Sequence, residues 1–359
     1  GVARRNALVE IDSPDQAKTV DFGFGAKALQ KIHRANGSSH LAAPIDWALP
    51  VSANAVTIID SEPQTESHLS VSETHLENQK LRVEFDKQGN VTSIFDKAAN
   101  RELIKGDTIA NQLTVYEDKP LRWDAWDIDW FYEEKSWKVD APTQIDVIEK
   151  GPHRAAIRLT RTYKNSTITQ IISLGENAEL IEFDFFADWK ESQSLLKAEF
   201  EFDIQTDHVK SQIQFGHVSR ATHRNTSWDA ARFEASMHRW VAFEEEDYSI
   251  AILNDCKYGY SAKDTSLGIT LIKSGTYPHP TADQEQHICR YAVSPVSGNN
   301  RTAKINRRAA DFSKPLRVQL GSRNRQHNEV EQVPLLQWDQ DNIILHSVKP
   351  SESGDAVVF

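Results

Sequence analysis

Between Asn111 and Lys135 the sequence reads NQLTVYEDKPLRWDAWDIDWFYEEK. Here Trp123, Trp126, Trp130, Phe131 and Tyr132 are set among Asp124, Asp127, Asp129, Glu133 and Glu134. The mixture has two chemical readings. Aromatic faces stack on the C–H faces of a sugar while carboxylate oxygens accept from its hydroxyls. Alternatively the rings form a buried belt between two sheets, with the acids on the solvent edge.

Three other stretches carry reactive side chains. FGHVSRATHRNTSWDAARFEASMHRW (215–240) holds His217, His223 and His238 with Asp229 and Glu234, at spacings that match neither HExxH nor a paired metal-ligand motif. Histidines that cap loops or donate to carbonyls account for it. ILNDCKYGY (252–260) is an apolar run ending in Asn254 and Asp255, followed by Lys257, Tyr258 and Gly259. It is either a ligand-facing loop at a sheet end or a strand-to-turn transition. Cys256 has no histidine near it in sequence, which argues against thiol nucleophilic chemistry. SGTYPHPTADQEQHICRYAV (274–293) opens with prolines that force an extended loop. Its Asp283, Glu285 and His287 face a ligand or belong to a solvated crossover. No GxGxxG, P-loop or GxSxG motif occurs.

The elements that must position these residues are strands. LRVEFD (81–86), VTSIFD (91–96), HRAAIRLTRTY (153–163), STITQIISL (166–174) and ELIEFDFFADW (179–189) alternate apolar and polar residues or are rich in β-branched and aromatic ones. KAEFEFDIQ (197–205), RWVAFEE (239–245), YSIAILN (248–254), LGITLIK (267–273), RVQL (317–320), NIILHSV (342–348) and AVVF (356–359) continue the pattern. Leu81–Asp96 reads as a hairpin turning at Lys87-Gln88-Gly89-Asn90, and 157–162 pairs with 168–173. Short helices are expected only over 26–34 and 225–233. Strands without intervening helices predict an all-β, antiparallel sandwich. The polar stretches 61–75 and 294–308 divide the chain into 1–70, 71–298 and 299–359.

With 359 residues, 39% hydrophobic and 26% charged, the chain has the composition of a globular protein with a sizeable core. A net charge of −11 argues against nucleic-acid and anionic-membrane partners. No apolar run is long enough to span a bilayer. Two cysteines, Cys256 and Cys289, make no disulfide framework, so a reducing, cytoplasmic setting is expected. There the N-x-S/T matches at Asn36, Asn165, Asn225 and Asn300 carry no meaning.

Taken in order, 76–103, 111–129, 215–240, 252–260 and 276–295 resemble the C-terminal half of glycoside hydrolase family 38 α-mannosidases. WDAWD and NDCKYG are usual in its cytosolic and vacuolar branch and in bacterial relatives. The resemblance implies a large β supersandwich of the galactose-mutarotase type, with smaller β units at both ends. It also implies retaining hydrolysis of terminal α-mannosides by the whole enzyme. A carboxylate forms a glycosyl-enzyme intermediate while a second protonates the leaving oxygen. The family's zinc ligands and both catalytic acids lie in an N-terminal domain that nothing here resembles. This chain is therefore expected to be a fragment cut at both ends, without catalytic residues, cofactor or metal of its own. Its partners would be its own N-terminal catalytic domain and an α-mannoside, and the family allows a homo-oligomer of the whole enzyme. Trp123, Asp124, Trp126, Asp127, His238, Asn254, Asp255, Lys257 and Tyr258 are the positions proposed to rim the substrate.

A reading from another class stays open. The chain is then a stand-alone carbohydrate-binding or mutarotase-like sandwich, in which His238 works with Glu182 or Asp184 as acid and base.

Overall fold

A computed structural model describes residues 7–12, 19–21, 26–45, 52–53, 57–59, 67–140, 142–315, 317–319, 333–334, 343, 345 and 347–359. The chain divides into a smaller unit (1–31, 40–65 and 316–359) and a larger one (32–39 and 66–315).

In the smaller unit, strand Ala7–Asp12 is flanked by segments from both ends of the sequence. It pairs antiparallel through Val9↔Ala43 and Ile11↔Leu41, and parallel through Glu10↔Arg317. Val9 and Ile11 are buried, the period expected of a strand with one apolar face. The helix expected over 26–34 is absent: Ala26–Ala28 and Gln30–His33 are strands. Pairing of Thr19 with Ala28 and of Asp21 with Ala26 overrides the helical propensity of AKALQK.

The larger unit is an antiparallel sandwich. Its six-stranded sheet places Ser194–Glu201 between Gln112–Glu117 and Ser266–Ser274. Its nine-stranded sheet places Gln286–Ser297 between Ile181–Asp188 and Tyr248–Asn254. Val115, Ala198, Phe200 and Ile269 of the first sheet meet Ile157, Ile172, Phe183 and Tyr291 of the second in one continuous core. The hairpin of Leu81–Phe85 and Val91–Asp96 adds Leu81, Val83 and Ile94 to that core, turning at Gly89 with φ +74°.

Three elements of the larger unit differ from expectation. The span 274–293 is a loop only in its first half, because Gln286–Ser297 is a twelve-residue strand at the centre of the larger sheet. The helix expected over 225–233 is a single turn, Ser227–Ala230, capped by Thr226 Oγ1, which accepts the Asp229 N–H at 3.2 Å. A helix not expected, Arg301–Ser313, packs Ile305, Ala309 and Phe312 on Trp240, Ala251, Leu253 and Ala292 of the nine-stranded sheet. Of the strand expected over 342–348, residues 342, 344 and 346 lie outside the described residues, and the others form no strand. Leu320 also lies outside them. Among the described residues no helix is long and apolar enough to cross a membrane.

Candidate functional site

The aromatic segment leaves the six-stranded sheet after Gln112–Glu117 and returns to it as Ser136–Lys138, the neighbouring edge strand. Strand alternation sends Leu113 and Val115 into the core and leaves Thr114 and Tyr116 on the opposite face. There their hydroxyls donate to the two oxygens of Glu199, at 2.6 and 2.5 Å.

Four side-chain tethers then hold the intervening segment. Asp118 is fully buried and ion-paired with Lys273, and its backbone N–H donates to the carbonyl of Gln193 at 2.9 Å. Asp124 Oδ2 accepts the N–H of Thr276 at 2.7 Å and its hydroxyl at 3.0 Å. Tyr132, buried, donates its hydroxyl to Glu234 at 2.7 Å, and the same oxygen is paired with the fully buried Lys197. Lys197 also donates to Ser261 Oγ at 2.6 Å. Glu133 is gripped in bidentate fashion by Arg224, at 2.8 and 2.5 Å. Sequence reasoning missed Asp118, Thr276, Lys197 and Lys273. Lys197, Glu199 and Glu201 alternate with Ala198 and Phe200 as a solvent face would, and only the folded loop shows that this face is covered.

Held this way, the loop keeps its rings outside. Trp123, Trp126 and Trp130 are 56%, 68% and 65% exposed, so a buried belt between sheets is not what they form. Only Tyr132 is buried. Trp123 has φ +62°, a left-handed conformation costly for a side chain with a Cβ, and its carbonyl accepts the N–H groups of Trp126 and Asp127 at 2.8 and 2.9 Å. Its ring lies 6.0 Å from Trp126 and 6.3 Å from Tyr277, centroid to centroid. Asp127 is exposed and, among the described residues, accepts only its neighbour Ile128 N–H, at 3.1 Å.

The remaining candidates gather in a second turn. Asn254, buried, donates to the carbonyl of His238 at 2.8 Å and accepts the N–H of Lys257 at 2.9 Å. Asp255 accepts the backbone N–H of Arg290 at 3.0 Å and pairs with its guanidinium at 3.3 Å. Tyr258 is exposed, with its ring 6.5 Å from that of His238. Lys257 is half-buried. No hydrogen bond, ion pair or ring contact among the described residues joins this turn to the tryptophan loop. Nor does any join His238 to Glu182 or Asp184, and Asp184 pairs with Arg34 at 3.3 Å. In the third stretch, His287 Nε2 bonds the carbonyl of Asp283 at 2.8 Å.

The electrostatics limit the chemistry. The Thr276 N–H holds the Asp124 carboxyl below the usual carboxylate range. Burial pushes Asp118 and Asp184 up, against the pull of Lys273 and Arg34. The Cys256 thiol is pushed up to about 12, chiefly by burial and then by Asp255. Among the described residues no three His, Cys, Asp or Glu side chains converge as a metal needs. His223 faces Asp229 at 3.6 Å with no third metal-ligating side chain beside them among the described residues, and His217 lies 6.2 Å from the ring of Trp240. The residues described here therefore do not fit a zinc site.

Comparison with known proteins decides the family. The model of the glycosyl hydrolases family 38 C-terminal domain matches residues 76–281. The chain belongs to this family. The chain is similar to alpha-mannosidase G of Dictyostelium discoideum, 31% identical over 289 residues that make up 79% of this chain and 26% of that protein. It is 35% identical over 243 residues to human alpha-mannosidase 2C1, covering 67% of this chain and 23% of the relative. The chain thus spans about a quarter of the length of these relatives. The solved structure of an alpha-mannosidase from Enterococcus faecalis V583 matches with a TM-score of 0.63 at 11% identity, over 88% of this chain and 40% of that one, and shares the fold.

Proposed function

We propose that this chain is the non-catalytic β-sandwich portion of an α-mannosidase that releases terminal α-linked mannose, and that the tryptophan loop rims the active site of a separate N-terminal catalytic domain. The activity comes from what the relatives are named for, and from family membership.

One observation carries the non-catalytic role. A retaining glycosidase needs an accessible carboxyl held up as proton donor and a second carboxylate as nucleophile. Among the described residues the carboxyls that burial raises, Asp118 and Asp184, have side chains 0% and 7% exposed, and each is ion-paired. Asp124, which lies at the loop, is held down instead. In this reading the nucleophile, the acid and the zinc or other divalent metal belong to the catalytic domain, and Trp123, Asp124, Trp126 and Asp127 shape its rim. Both cysteines are free thiols, which supports a cytoplasmic setting.

Assay of the purified chain with an aryl α-mannoside tests the reading. The expected rate equals that of buffer, with added zinc or without. Turnover that co-purifies with the folded chain, and that disappears in Asp124→Asn or Asp127→Asn, would overturn it.

A further inference from the structure

The tryptophan loop has a property that a mere rim does not need. Trp126 and Tyr277 stand around Trp123 at 70° and 56° to its ring plane, 6.0 and 6.3 Å away, and Tyr277 is itself 55% exposed. The three rings therefore form an exposed aromatic corner around Trp123, with Trp126 edge-on and Tyr277 tilted to it. We infer that Trp123, Trp126 and Tyr277 form a stacking subsite for one pyranose of an α-linked manno-oligosaccharide, a unit other than the mannose released.

Sugar chemistry and two observations support a sugar as occupant. Pyranoses present C–H faces that stack on aromatic rings and hydroxyls that require acceptors. Asp127, exposed in the same turn, uses one oxygen for the Ile128 N–H, and its other oxygen accepts no bond among the described residues. A protein partner fits less well. Exposed Arg122 and Asp127 and half-buried Asp124 interrupt the rings, whereas the core of a protein interface is depleted of charge.

The corner is also ordered in advance. Asp124 ties the Trp123 turn to Thr276, the residue before Tyr277, so one carboxylate fixes two of the three rings relative to each other. A site whose side chains are already held loses little freedom on binding, which matters most for a weakly bound ligand such as a sugar.

The choice of mannose rests on the proposed function, but the subsite is a property of this chain and is tested on it. Saturation-transfer NMR of the 359-residue chain with millimolar α-mannobiose is expected to show transfer to the ring C–H protons of one pyranose. The signal should fall about tenfold in Trp126→Ala, the upper scale of one aromatic contact. Trp123→Ala and Tyr277→Ala should behave alike. Trp228→Ala removes a ring that is 77% exposed and in no aromatic pair among the described residues, and should leave the signal intact. Circular dichroism establishes that each variant is folded. Absence of transfer to the folded wild-type chain would overturn the subsite, as would transfer that survives all three corner variants or vanishes equally in Trp228→Ala. The rim reading is judged on hydrolysis, so the two ideas fail separately.

Discussion

Asp124 and Thr276 are 152 residues apart in sequence, yet the Asp124 carboxylate accepts both the backbone N–H and the hydroxyl of Thr276. That contact joins the turn carrying Trp123 to the segment carrying Tyr277. It makes the acid part of the support beneath the rings, and its proton chemistry follows from that position.

Asp124→Ala is therefore expected to lower thermal stability by about 1 kcal/mol, the net scale of such a bond at a half-exposed site, or a Tm shift of about 2–4 °C. The contact lowers the folded-state pKa. Its contribution is present above the unfolded carboxylate value, about 4, and is lost as pH falls through the lowered folded value. Melting curves of wild type and variant should converge in that acid window. A gap unchanged down to pH 2 would contradict the tether.

A different sign applies at Asp118. Its carboxyl is fully buried and raised, and only Lys273 opposes the raising. Lys273→Met strands the charge, which costs about 3 kcal/mol, on the order of 10 °C in Tm. For a raised acid, stability is greatest below the unfolded value and is lost as pH rises through the folded one. The deficit of Lys273→Met should therefore shrink on acidification. The double variant Asp118→Leu/Lys273→Met should recover most of it at pH 7. A double variant no more stable than the single would show that the pair is not the cause.

The residues around the loop show what sequence patterning reveals and what it hides. Strands such as Leu81–Phe85, Ser166–Gly175 and Tyr248–Asn254 were readable because apolar alternation or a solid apolar run marks them directly. Gln286–Ser297 was hidden because it opens with Gln286, His287 and Arg290 and carries Pro295, which pairs with Ile250 inside the sheet. The helix Arg301–Ser313 has only Ile305, Ala309 and Phe312 to declare its buried face, at i, i+4 and i+7 within a basic run. At the site, the WDAWD turn announced itself by composition. Lys197, Lys273 and Thr276 did not, because their roles arise from pairings 37 to 155 residues away in sequence.

Cys256 offers a pH test of the neighbouring turn. The residue is exposed as a whole, but its sulfur is partly desolvated against the carbonyl oxygen of Ile288 at 3.7 Å and lies beside Asp255, and these push the thiol up to about 12. Thiolate is the reactive form, so labelling by a disulfide reagent should be slow at pH 7 and rise about tenfold per pH unit to beyond pH 10. Because a raised acid favours the protonated fold, stability from this group is complete below the unfolded value of about 8.5 and is lost as pH rises toward 12. Labelling that levels off near pH 8.5 would contradict this environment.

In the proposed function the tryptophan loop shapes and supports a substrate site without performing chemistry. It is tested most directly by kcat/KM for an α-mannoside, alongside Tm, in the longer α-mannosidase proposed to contain this chain, carrying Trp123→Ala or Asp127→Asn. Trp123→Ala is expected to lower Tm with a change in kcat/KM below about tenfold, and Asp127→Asn likewise to cost less than about tenfold. An unchanged Tm with activity reduced by about 10³-fold or more, the scale of a lost transition-state contact, would contradict it.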